Sequence, residues 1–111
     1  MSSIGIILSA LAPATITATG ANAATMHGCP PGDVCIYPGA GWNNDQPSTI
    51  YYGHGCYAFS NQYGTHRILN NGYAPLYGYK GAICATDPVL TIAPGGWADA
   101  DLTLVDSIKI A

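Results

Sequence analysis

The residues of this 111-residue chain that carry chemistry are four cysteines, three histidines and six acidic side chains, all of them Asp. Thiols and imidazoles hold zinc, oxygen clusters hold calcium, and paired thiols oxidise to disulfides. A zinc site on His54-Gly55-Cys56 with one further cysteine has a spacing that matches no standard ligand pair. The even count of Cys29, Cys35, Cys56 and Cys84 reads instead as two disulfides. Pro30-Pro31-Gly32-Asp33 is turn chemistry that brings Cys29 to Cys35, which leaves Cys56 for Cys84. The second bridge closes the longer loop and should contribute roughly 3 kcal/mol or more, the first less. Its long span implies a tie between distant strands, not the frame of a short loop.

For nucleophilic catalysis the parts are His54, His66, Ser48, Ser60, Ser107 and the aspartates, with no Gly-x-Ser-x-Gly turn. The acids stand in turns or near the end of the chain, where they do not present the two facing carboxylates of a glycosidase. Asp99, Asp101 and Asp106 lie close in sequence, and the first two fall in phase on an extended segment. They read as a solvated acidic edge that discourages aggregation. No catalytic, cofactor or metal residue is assigned, and the chain reads as non-enzymatic.

Charge narrows the partners. Three basic and six acidic residues give a formal charge of −3, and Arg67, Lys80 and Lys109 cannot form the basic stripe that nucleic acid requires. The first 23 residues carry no charge, and Ile4 to Leu11 form an apolar stretch ahead of a small-residue run. The segment ends Ala21-Asn22-Ala23-Ala24, a small-x-small site, so residues 1–23 read as a signal peptide cut after Ala23. A membrane anchor would need about 20 apolar residues. Thr15, Thr17, Thr19 and Gly20 interrupt the stretch first. Residues 24–111 then form one secreted domain with no membrane contact after leader cleavage, small enough to need staples.

The mature segment holds no helical periodicity. Short β-type runs recur between turn clusters at 34–37, 49–52, 56–59, 66–69, 76–77, 89–92 and 107–110. Seven or eight such strands predict an all-β sandwich or Greek key. Sliding the chain by 40 residues lays Ile36-Tyr37 on Leu76-Tyr77, Ile50 on Leu90, Tyr57-Ala58 on Trp97-Ala98 and Ile68 on Ile108. The domain is therefore expected to consist of two repeats of about 40 residues, near 34–70 and 74–111. Tyrosines crowd the middle of the chain, and Tyr52, Tyr63, Tyr73 and Tyr79 are the candidates for an exposed partner-binding face.

Cys29-Pro30-Pro31-Gly32-Asp33-Val34-Cys35-Ile36-Tyr37 resembles the opening of the small secreted peptidase-inhibitor family typified by the actinomycete metalloproteinase inhibitor. The segment Tyr37-Pro38-Gly39-Ala40-Gly41-Trp42-Asn43-Asn44 resembles the aromatic hairpin of βγ-crystallin-like folds, with Asn44 where Gly is usual. The resemblance implies a βγ-crystallin-like Greek-key sandwich and an extracellular protease as partner. The family meets its protease through a short disulfide-tied loop in the later half, and this chain departs there, because Cys56 and Cys84 are too far apart in sequence to frame one. It also raises calcium, the usual ligand of crystallin-like domains. Asn44-Asp45-Gln46-Pro47-Ser48-Thr49 approaches that motif in letters but lies early in its repeat, and segments 61–66 and 103–107 lack the paired oxygens. The expected function is binding, of an inhibitory kind. A structural or cell-surface β-sandwich and a calcium-binding crystallin-like module are the alternatives.

Overall fold

The computed structural model describes residues 24–111, and the expected leader, 1–23, lies outside them. Eight strands follow in order: β1 Val34–Ile36, β2 Thr49–Tyr51, β3 Gly55–Ala58, β4 Thr65–Asn70, β5 Leu76–Tyr79, β6 Leu90–Ile92, β7 Trp97–Asp101 and β8 Ser107–Ile110. The described residues contain no helix, so none long and apolar enough to cross a membrane. Seven strands coincide with the β-type runs of the sequence. The eighth, β7, is Trp-Ala-Asp-Ala-Asp, a segment of weak strand propensity. Its pairing with β4, from Thr65 opposite Asp101 to Leu69 opposite Trp97, makes it a strand.

All pairings are antiparallel, and they build two four-stranded sheets, β2-β1-β4-β7 and β3-β8-β5-β6. Val34, Ile36 and Ile68 of the first sheet share one buried cluster with Leu76, Ile92, Ile108 and Ile110 of the second. The period-two alternation of these positions aims them inward, so the two sheets form a sandwich around a common core. Exchanging each strand for the one four places along the chain turns the first sheet's order into that of the second, reversed.

The first sheet is covered on its outer face as well, which is why β1 is buried along its whole length. Cys29, Cys35, Tyr37 and Leu69 form a second small core there, with Met26 and Trp42 packed on it. The Cys29–Cys35 bridge lies within it. Segment 24–33 covers the sheet and is pinned by the Asn71 side-chain amide, which donates to the carbonyls of Ala24 and Cys29 at 3.0 and 2.9 Å. Asn43, Asn44 and Asp45 form a left-handed turn with φ of 51, 55 and 59°. Each L residue there costs on the order of 1 kcal/mol, least for Asn and Asp.

Gly28 docks against that turn. A β-carbon at Gly28 would stand 1.9 Å from the Asp45 carbonyl oxygen, and its φ of +75° already disfavours a side chain. Gly28→Ala is therefore expected to lift segment 24–33 from the sheet and destabilise by about 2 kcal/mol, read as a lowered urea midpoint at unchanged slope. An unchanged midpoint would show that the segment contributes nothing to the fold.

Candidate functional site

The catalytic parts do not converge. His66 places Nδ1 2.6 Å from the Tyr37 carbonyl and Nε2 3.0 Å from the Tyr63 carbonyl, so both ring nitrogens face acceptors. His54 Nδ1 lies 2.6 Å from the Ala111 carbonyl, and His27 Nδ1 hydrogen-bonds Asp45 Oδ1 at 2.8 Å. Such rings are held by acceptors and do not face a hydroxyl nucleophile. Carboxylates are similarly engaged: Asp101 accepts from the Thr103 amide and Asp106 from the Gly81 amide. Among the described residues no three His, Cys, Asp or Glu side chains are grouped to hold a metal ion.

Asp99 is not a free acid on a solvated edge, because Arg67 takes it. The guanidinium donates from Nε at 2.8 Å and from a terminal nitrogen at 3.0 Å. Cross-strand register explains the pair, since Arg67 stands opposite Asp99. The guanidinium also lies over two indoles, 4.0 Å from the Trp97 ring centroid and 4.7 Å from that of Trp42. His27 stacks on Trp42 at 3.7 Å, nearly parallel, which extends the ladder to four planar groups. The letters do not announce this ladder, because Trp97–Asp101 has weak strand propensity and nothing else in the sequence places Trp97 beside Arg67.

The hydrogen bonds from Arg67 hold the Asp99 carboxyl below its ordinary range, against the opposing effect of partial burial. A depressed acid stabilises the fold above the unfolded value near 3.9, and that contribution disappears as pH falls through the lower folded value. Asp99→Asn is expected to be less stable than the parent at neutral pH, with the difference closing below about pH 4. Urea midpoints across that range measure it, and a pH-independent difference would mean that the charge is irrelevant. On the same outer face, burial and then the Asp45 charge raise the Tyr37 hydroxyl, which donates to the His27 carbonyl at 2.7 Å.

The candidate tyrosines separate. Tyr52 and Tyr73 are exposed in the loops after β2 and β4, at one end of the sandwich. Tyr63, also exposed, precedes β4 at the opposite end. Tyr79 is 7% exposed, because it ends an interior strand flanked by β6 and β8, and it is removed from the exposed face. The four do not form one surface.

Both disulfides pair as the sequence indicates, Cys29 with Cys35 and Cys56 with Cys84. The second corrects one expectation. Cys56 belongs to β3, but Cys84 lies in the loop 80–89 between β5 and β6, so the bridge ties a loop to a strand. That loop is anchored on both sides of its apex. Buried Ser107 donates through Oγ to the Gly81 carbonyl at 2.7 Å and accepts the Cys84 amide at 3.1 Å, while Asp106 takes the Gly81 amide at 3.0 Å. The Val89 amide closes the base on the Gly78 carbonyl at 2.8 Å. Between the anchors only Ala82 and Ile83 span the gap, and Ile83 is 78% exposed, the highest value among the exposed large apolar residues. Exposed Val89 and Leu104, with Val105, Lys80 and Asp101, line a shallow cleft of about 350 Å³ at the foot of the loop. A signal for this site existed in the letters, since an isoleucine directly precedes a disulfide cysteine, but exposure and anchoring are properties of the folded chain.

Neither a protein-family model, nor a curated protein, nor a solved structure matches this chain.

Proposed function

We propose that the protein is a secreted, non-enzymatic binding domain that inhibits an extracellular endopeptidase through the loop 80–89, with Ile83 as the side chain offered to the enzyme. The observation that carries this reading is Ile83 standing exposed between Gly81 and Cys84, both tied to Ser107 and one of them disulfide-bonded. A large apolar side chain in water has no folding benefit, and a two-residue arch between fixed points has little conformational freedom to lose on binding. Those are the requirements of an inhibitory loop that occupies an apolar specificity pocket and keeps its ends together after cleavage. The cleft lined by Val89 and Leu104 adds apolar area beside it. Two disulfides are compatible with an oxidising exterior.

The same reading takes the domain as a crystallin-like pair of Greek-key repeats. Its support is the exchange relation between the sheets: the leading residue of the first strand of each set of four pairs with the last residues of the second and fourth, Val34 with Tyr51 and Asn70 and Leu76 with Ile92 and Ile110, which sets Val34 and not Ile36 on Leu76. The test is titration of the mature protein into secreted metallo- and serine endopeptidases that prefer apolar side chains. Stoichiometric inhibition of at least one is expected. No loss of activity at micromolar protein across the panel would eliminate the reading.

A further inference from the structure

The two disulfides differ in surroundings. Cys29 and Cys35 are fully buried under segment 24–33, whereas Cys56 is exposed on β3 and Cys84 is half-buried. They also differ in what they hold: the first lies inside a packed cluster, the second fastens a loop with a solvent-exposed apex. From this contrast we infer that Cys56–Cys84 is a thiol–disulfide exchange site for low-molecular-weight thiols, and that opening it frees the 80–89 loop while the sandwich stays folded.

Exchange needs in-line access of a thiolate to one sulfur and a leaving group that can depart. The exposed Cys56 provides the access. A thiolate RS⁻ attacks Cys56 Sγ, forming Cys56–S–S–R, and the bond to Cys84 Sγ breaks with its electron pair on Cys84. That thiolate takes a proton from water. Its sulfur already lies 3.1 Å from the Ile108 carbonyl, so the new S–H has an acceptor at hand. A second RS⁻ attacks the outer sulfur, releasing RSSR and leaving Cys56 reduced. Two thiols are oxidised for one protein disulfide reduced.

Structural consequences are confined to the loop. Cys84 holds a left-handed backbone with φ of 52°, and Thr86, a β-branched residue, another at 69°. Without the bridge the strain around Cys84 can relax, and only hydrogen bonds, to Ser107 and Asp106, still hold the arch. Neither cysteine of this bridge belongs to the inter-sheet cluster, so the core is untouched. For binding, which rests on the inhibitory reading, exchange would act as an off-switch.

The experiment treats the native mature protein with graded reduced glutathione, quenches with maleimide and maps the modified cysteines by mass spectrometry. Glutathione or maleimide on Cys56 and Cys84 is expected at thiol concentrations at least tenfold below those that label Cys29 and Cys35, with a cooperative thermal transition retained. Simultaneous labelling of all four, or labelling only in denaturant, overturns the proposal. The double variant Cys56→Ser with Cys84→Ser supplies a second readout: it is expected to be cut within 80–89 by a broad-specificity protease at least tenfold faster than the parent. Equal cleavage rates would show that the bridge does not restrain the loop. If labelling is selective but neither form inhibits any peptidase, the exchange site stands and the inhibitory reading alone fails.

Discussion

Ile83→Asp is expected to weaken peptidase inhibition by at least about 100-fold while leaving the thermal midpoint unchanged. A central apolar anchor at an interface is worth about 2–4 kcal/mol, and each 1.4 kcal/mol is a factor of ten in affinity. Replacing it by a carboxylate adds the cost of burying a charge in the enzyme's pocket. Stability should not respond, because Ile83 is exposed and makes no part of either core. The matched controls are Tyr52→Ala and Tyr73→Ala, whose loops lie at the other end of the sandwich. Both are expected to inhibit like the parent. Undiminished inhibition by Ile83→Asp would move the contact surface away from the loop.

The largest loss of stability is expected from Ile108→Ala, about 4 kcal/mol, or close to 20 °C in the midpoint for a domain of this size. Ile108 is fully buried in β8, the strand between β3 and β5. On the β5 side its register partner is Gly78, which offers no side chain to move into a vacated volume. Nor can a side chain at Gly78 fill the space, since Leu90 and Val105 each place an atom 3.1 Å from where its β-carbon would sit. The cavity therefore persists, and the cost rises with its volume. Ile108→Val, which removes a single methylene, should cost about 1 kcal/mol. Equal midpoints for the two variants would mean that the core repacks around the gap.

How much of this is legible in the sequence differs by element. β1, β5 and β8 are dense in β-branched, aromatic and aliphatic residues and declare themselves. β7 does not, since Ala98 and Ala100 supply its inward face and two aspartates its outer face. Its strand character comes from the β4 ladder, whose partners lie 28 to 36 residues away in the chain. Tyr79 shows the opposite failure. A tyrosine beside lysine and glycine suggests a surface, yet the order of strands in the sheet buries it.

By themselves the residues determined the all-β class, the pairing of Cys29 with Cys35 across a Pro-Pro-Gly turn, and by elimination that of Cys56 with Cys84. Those are matters of local propensity, turn chemistry and counting. Tertiary structure alone decided that Cys84 lies in a loop, that Ser107 holds that loop on both sides of Ile83, and that Arg67 joins Trp42 to Trp97. Each of these depends on which distant strands become neighbours. That choice is made by the burial of whole faces of the sheets, and no short window of sequence contains it.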